Sequence, residues 1–387
     1  MAFHFVLTIG IVSLFADMTY EGSRSIVGPY LAQLGANGTI VGIVAGLGEL
    51  LGYGLRLVSG RLSDKTGKFW PITIIGYIIQ MSAVPLLALA GSWQVAALLI
   101  IAERIGKATR NPPRDVMLSH AGEEIGHGWV FGLHEALDQF GALLGPLAVA
   151  VVLAKEGQYQ TAFAMLLIPA ILTIVLIFTA RLIYPQPGKL ESRTPNLQSK
   201  NLPRQFWIYL TGAALVAAGF PDFSMMSFHF EKADALPATW VPIFYAIAMA
   251  TSGFGSLVFG KLFDRKGIVI LLPLTLISVC FVPLVFLGGF WLSLIGCALW
   301  GLGMGVHESI IPAAVAKMVP LERRASAYGI FTAAYGISWF IGSAIIGVLY
   351  DFSMSALIAF SVLSELAAIP FFFAMWSKEK NNHPSAA

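Results

Sequence analysis

Twelve long apolar runs, separated mostly by very short polar links, set the limits on what this chain can become. They cover residues 4–34, 39–62, 69–90, 92–117, 127–154, 158–183, 204–230, 238–262, 267–288, 291–317, 325–350 and 353–376. A run of about 20 apolar residues crosses the hydrocarbon of a bilayer as a helix, because each backbone N–H and C=O then finds its partner within the segment. The chain of 387 residues is 57% hydrophobic and only 12% charged, against roughly 25% charged for a soluble domain. It lacks the polar side chains to cover a soluble surface. The expectation is an all-α polytopic membrane protein with twelve transmembrane helices. Its first run has no basic leader or small-residue cleavage site and reads as the first span.

The charges are sorted by side. Arg24, Arg56 and Arg104 fall inside spans, and Lys155 and Lys232 lie at one set of links. All other Lys and Arg residues lie on the opposite side or at its helix ends. The positive-inside rule therefore puts both termini and the central link in the cytoplasm of a cell whose inner membrane holds the protein. The basic clusters are short and lie against a membrane, so a nucleic-acid partner is not expected. Membrane lipid and a small-molecule substrate are the expected partners, and a monomer is the expected state. Trp70, Trp93, Trp129, Trp207, Trp240, Trp291 and Trp376 lie near span ends and read as interface anchors.

Two segments 200 residues apart repeat one another, GRLSDKTG at Gly60–Gly67 and GKLFDRKG at Gly260–Gly267. Gly132 and Gly145 on the fifth span have the same separation as Gly329 and Gly342 on the eleventh. Span n thus corresponds to span n + 6 with the same topology. This implies two pseudo-symmetric six-helix bundles, residues 1–183 and 204–377, with a Pro- and Gly-containing cytoplasmic linker at 184–203 and a tail at 378–387. The gap between such bundles is the expected substrate site. Cys280 and Cys297 lie in apolar runs and read as packing residues.

The G-x-x-x-D-[RK]-x-G pattern between spans 2 and 3, carried by Gly60, Asp64, Lys65 and Gly67, resembles the hallmark of the major facilitator superfamily. Gly260, Asp264, Arg265 and Gly267 are its degenerate copy. The usual basic run is cut short, since Phe69 follows Lys68. The stretches SLFADMTYEGSRSIVGPYLAQLG, ERIGKATRNPPRDVMLSHA and GLHEALDQFGALLGP resemble bacterial efflux-type members. The last carries Gly141, Gly145 and Pro146, the core of a helix-packing motif of proton-coupled antiporters, although Ala148 and Val149 stand where a glycine pair often follows. The resemblance implies alternating access, with the proton as coupling ion and no bound cofactor.

Ionisable side chains at membrane depth are costly and mark pathways, relays or buried pairs. Asp17, Glu21 and Arg24 share one face of span 1, and Glu49 and Arg56 share one face of span 2. Glu103, Arg104, Lys107, Arg110, Arg114 and Asp115 crowd span 4. On span 5, His134 and Asp138 share a face and Glu135 points away. We read His134, Asp138, Glu135, Asp17 and Glu21 as proton-coupling candidates. Arg24, Glu49, Arg56, Arg104, Asp222, Tyr245, His307, Glu308 and Tyr335 are substrate-binding candidates, with Phe223, Trp300 and Trp339 as further pocket aromatics. Arg110, Arg114 and Asp115 join both repeat segments as a cytoplasmic gate, in which Asp64 would latch to Arg114. A purely structural network or pair is the alternative for the groups on spans 1, 2 and 5, and positive-inside anchoring is the alternative for Arg114.

Met225, Met226 and His229 hint at a soft-metal path, but there is no Cys-x-x-Cys or His-rich loop, and no metal site is read. Nor is there a phosphate-binding loop, and no enzyme activity is expected. The reading is proton-coupled export of a small amphipathic or drug-like solute. An importer or exchanger of a charged metabolite and a non-transporting sensor are the alternatives.

Overall fold

The computed structural model describes residues 2–185, 202–320 and 323–382. The linker residues 186–201 and the end of the tail lie outside them. Among the described residues the chain is helical, without strands. The helices are α1 (Ala2–Arg24), α2 (Val27–Gln33), α3 (Gly38–Thr66), α4 (Phe69–Leu86), α5 (Trp93–Ile125), α6 (His127–Glu156), α7 (Tyr159–Met165) and α8 (Leu167–Ile183), then α9 (Arg204–Gly219), α10 (Phe223–Lys232), α11 (Trp240–Lys266), α12 (Leu271–Val279), α13 (Phe281–Leu287), α14 (Phe290–Met318), α15 (Arg324–Phe352) and α16 (Met354–Asn382).

Among the described residues, ten stretches are long and apolar enough to cross a membrane. One of them, Trp240–Leu287, runs for 48 residues and contains two of the twelve apolar runs. The charged α5 stands outside the ten. The chain is an all-α polytopic membrane protein. Helix α8 shows how the sequence builds it. Ala170, Thr173, Ile177 and Ala180 are buried on one face, while Ile168, Ile171, Val175, Phe178 and Leu182 are exposed on the other. Both faces are apolar, one for neighbouring helices and one for lipid.

Proline explains several interruptions. A proline cannot donate to the carbonyl four residues earlier. Pro29, Pro169 and Pro283 free the carbonyls of Ser25, Met165 and Val279, and the α1/α2, α7/α8 and α12/α13 breaks fall at those points. Pro85, Pro112, Pro113, Pro146 and Pro370 sit inside unbroken helices.

The chain divides into two compact units. The first comprises Met1–Ala36, Leu47–Thr194 and Ser227–Ala246, and the second Asn37–Gly46, Pro195–Met226 and Ile247–Ala387. In the first, α1 packs on α6 and α8, and α4 on α5. A β-carbon at Gly141 or Gly145 would strike the backbone of Leu14 or Met18, so the α1–α6 seam needs both glycines. A second close seam joins Gly76 of α4 to Gly106 of α5. Trp70 is a correction to its reading as an interface anchor: it is buried, and its indole N–H donates to the Tyr184 carbonyl at 2.9 Å. Trp129, Trp207, Trp240 and Trp291 are exposed.

In the second unit, α9 packs on α15 and α16, and α12 on α14 and α16. The Asp351 carboxylate caps the first turn of α3. It accepts hydrogen bonds from the Gly38 and Thr39 amides, each at 2.8 Å, and from the Thr39 hydroxyl at 2.7 Å. Replacing Asp351 with alanine should lower stability by roughly 1–2 kcal/mol, as loss of an N-cap does. A lower melting temperature of the detergent-purified protein would show it.

Candidate functional site

The α4–α5 seam creates the core of the site. With only glycine at 76 and 106 the two backbones meet, and this brings Gln80 and Tyr77 of α4 onto Arg110 of α5. The Arg110 side chain has no solvent exposure. It donates to the Gln80 carbonyl oxygen at 2.6 Å, to the Tyr77 hydroxyl at 3.0 Å and to Asp17 Oδ1 at 3.5 Å. Its guanidinium also lies over the Tyr77 ring. The Gln80 amide passes the network on, donating to Glu103 Oε1 at 3.0 Å.

From Glu103 the chain of charges continues along α5. Arg104 approaches Glu103 at 3.6 Å and Glu49 of α3 at 3.0 Å, and it donates to the Tyr20 hydroxyl. Glu49 also pairs with Arg24 at 3.5 Å. Lys107 sits over the Tyr20 ring and reaches Glu21 at 4.0 Å. The Tyr245 hydroxyl donates to Glu21 Oε2 at 2.5 Å. Asp17, Tyr20, Glu21 and Arg24 recur at helical spacing, so α1 presents all four to one side. Alternating signs and hydrogen bonds make such a network tolerable in an apolar interior, where an unpaired charge is not.

A second chain runs beside the first. The Asp138 carboxylate lies 3.4 Å from His134 Nδ1, and His134 Nε2 is hydrogen bonded to the Ser13 hydroxyl at 2.8 Å. Arg114 donates to Ser13 Oγ at 3.3 Å and to Asp115 Oδ1 at 2.8 Å. His134 is buried and Asp115 half exposed. Carboxylate, imidazole, hydroxyl and guanidinium thus connect a mostly buried acid to a half-exposed one. The Gly141–Gly145 seam sets this up by holding α6 against α1 a few turns from His134. Glu135 is exposed and bonded to Gln139.

The second unit holds an aromatic cluster. Phe220 packs against Phe281, Trp300, His307 and Trp339. The His307 Nδ1 and the Tyr335 hydroxyl are 2.7 Å apart, and Phe223 packs on Trp300. The Glu308 side chain lies outside the described residues. Asp222 is buried at the α9/α10 break, where its Oδ1 accepts from the Ser224 amide at 2.9 Å. It acts there as a helix cap, a role its position after Pro221 suits.

One expected pairing is absent among the described residues, the Asp64–Arg114 latch. Arg56 is exposed and lies over the Tyr53 ring of its own helix. Glu49, two turns from Arg56 on α3, turns to Arg24 and Arg104 instead. Asp64 and Arg114 do not meet, because Arg114 is engaged by Asp115 and Ser13. The repeat segments prove to be helix ends. Gly67 and Gly267 close α3 and α11 with φ of +65° and +68°, a left-handed conformation that favours glycine. Gly60 lies near Pro112 of α5, and Lys65, Asp264 and Arg265 are exposed.

Sequence reasoning missed Ser13, Tyr20, Tyr77 and Gln80 as network members. The lone amide of Gln80 in an otherwise apolar span was the available signal.

Membrane-crossing helices that enclose charge rather than display it mark a functional pathway or relay within a multi-pass membrane protein. The family model described as Major Facilitator Superfamily matches residues 9–343 and again 268–387, and the chain belongs to that superfamily. It is 42% identical over 381 residues to an uncharacterised protein of Mycobacterium tuberculosis (strain ATCC 25618 / H37Rv), covering 97% of this chain and 93% of that one. It is 28% identical over 366 residues to an uncharacterised MFS-type transporter of Methanocaldococcus jannaschii, covering 90% and 89%. Its fold is similar to the crystal structure of the nucleoside transporter NupG, with a TM-score of 0.77 at 15% identity over 97% of this chain and 99% of that one.

Proposed function

We propose that this transporter exports a small amphipathic solute in exchange for protons. It would work by alternating access of two bundles, as a monomer without cofactor, in the cytoplasmic membrane with both termini in the cytoplasm. The observation that carries the coupling is the connected path Asp138–His134–Ser13–Arg114–Asp115. Asp138, His134 and Ser13 can each accept and give up a proton, while the Arg114 guanidinium, which only donates, holds Ser13 and Asp115 in place. The adjoining network of Asp17, Arg110, Glu103, Arg104, Glu49 and Arg24 supplies ion pairs that can be exchanged between two states. Export is favoured by the G-x-x-x-G-P sequence of α6, which resembles that of proton-coupled antiporters. The amphipathic class follows from the aromatic cluster of the second unit, with His307 and Tyr335 as its polar members.

Proteoliposomes under an imposed pH gradient test the reading, with a panel of labelled amphipathic amines, nucleosides and organic anions. Solute movement opposite to proton flow is expected. Uptake along with inward protons, or exchange indifferent to the gradient, would overturn export by antiport, and binding without flux would make the protein a sensor. Replacing Asp138 with asparagine should abolish gradient-driven flux while solute-for-solute exchange persists. Unchanged pH dependence in that variant would remove α6 from the coupling path.

A further inference from the structure

Glu365 of α16 is the one carboxyl in the second unit with no solvent exposure, among the described residues. Neither of its oxygens has a hydrogen-bond partner there. The serines around it are already engaged elsewhere: Ser361 donates to the Gly219 carbonyl, and Ser364 to the Leu215 carbonyl at 2.8 Å. The Ser278 hydroxyl faces the carboxyl without reaching hydrogen-bond geometry. The side chain lies against Gly219, the last residue of α9, so close that a β-carbon there would come within 3.1 Å of Glu365 Cγ. Phe220, next along, opens the aromatic cluster.

Among the described residues no cation offsets the position. Helix α16 packs against α9, α12, α13, α15 and the turn Gly267–Ile270. Helices α12 and α13 and the turn carry no titratable side chain. On α9, Arg204 stands at the far end, and Tyr209 packs on Phe331 and Phe372, two helical turns along α16 from Glu365. On α15, Tyr335 is bonded with His307 and Asp351 caps α3, while Tyr328 and Tyr350 lie towards the ends of that helix. Across Phe220 on α14 is His307. None of these reaches the carboxyl, among the described residues.

An ionised carboxylate without a partner in an apolar interior is strongly disfavoured, whereas the uncharged acid is tolerated. We propose that Glu365 is a proton-binding site of the second unit, occupied in this packing and emptied only when α16 and the α9/α10 break part enough to hydrate it. Proton release and the local opening are then one linked event. The break provides the means, since Gly219 ends α9 and its carbonyl is held by Ser361 rather than by a following turn. The inference rests on the proton-coupling reading only for its consequence in transport, because the site itself is defined by packing.

Infrared difference spectroscopy of the full-length protein in detergent, across a pH titration, tests it. The carbonyl stretch of a buried carboxylic acid is expected in the wild type and should be lost in Glu365→Gln, which keeps shape and neutrality and so preserves the fold. Ser278→Ala should shift that band without removing it. A wild-type spectrum in which the Glu365→Gln change removes no acid band would overturn the proposal. Flux separates it from the function proposed above. If the band is assigned to Glu365 but wild-type transport ignores the pH gradient, the coupling reading fails and the proton site stands. If transport is proton-driven but Glu365→Gln leaves the spectrum intact, the site fails and the coupling reading stands.

Discussion

Replacing Arg110 with methionine is expected to be among the most damaging single changes in the protein, lowering stability by about 3–5 kcal/mol, as removal of one partner from a buried pair does. The guanidinium is fully enclosed and holds three groups at once, Gln80, Tyr77 and Asp17. Methionine restores part of the volume but leaves the Gln80 carbonyl oxygen, the Tyr77 hydroxyl and a carboxylate without their donor. Thermal unfolding of the detergent-purified variant should show the loss. Adding Asp17→Asn to Arg110→Met should recover part of it, because the orphaned charge is then gone. A single variant as stable as the wild type would mean that Arg110 is not bonded as described.

A comparable effect is expected from Gly145→Leu, for a steric reason. A β-carbon at 145 would fall on the Met18 carbonyl and within 2.9 Å of the Gly22 amide nitrogen. Those are backbone atoms and cannot swing aside. Overpacking typically costs 1–3 kcal/mol and occasionally more, and here α1 and α6 would have to separate, pulling His134 from Ser13. The expected outcome is loss of the monodisperse peak in gel filtration. Gly132→Leu on the same helix is the control: Gly132 is exposed with nothing near its β-carbon position, and that variant should keep the peak.

The architecture was legible because lipid leaves a chain few choices. Apolar runs of sufficient length must become helices, and their positions follow the sequence closely. Interruptions were legible only in part. The breaks at Pro29, Pro169 and Pro283 follow the proline rule, yet the twelve apolar runs pass through all three. The candidate site was legible as a set of residues but not as a set of partners. Charges in apolar runs stand out, and Asp17, Glu21, Arg104, Arg110, His134 and Asp138 did so. Which charge meets which depends on how deep one helix sits against the next, and glycine seams decide that. Glu49 and Arg56 share a face of α3, yet Glu49 finds bases on two other helices. Arg114 had an acid beside it in sequence, Asp115, and that neighbour forestalled the longer-range pairing with Asp64.

Helix α5 runs straight through Pro112, although that residue cannot donate to the Ala108 carbonyl. The missing donor comes from another helix: the Ser59 hydroxyl of α3 donates to Ala108 at 2.8 Å. At Pro29, Pro169 and Pro283 the helix breaks, whereas here a borrowed hydroxyl completes the ladder. Sliding α3 along α5 by one residue would therefore expose a bare carbonyl in an apolar interior, at a penalty of about 1–3 kcal/mol. The two helices are geared together at that tooth. Any displacement that the Glu49–Arg104 pair undergoes must carry both as one rigid part, with motion taken up at their other contacts.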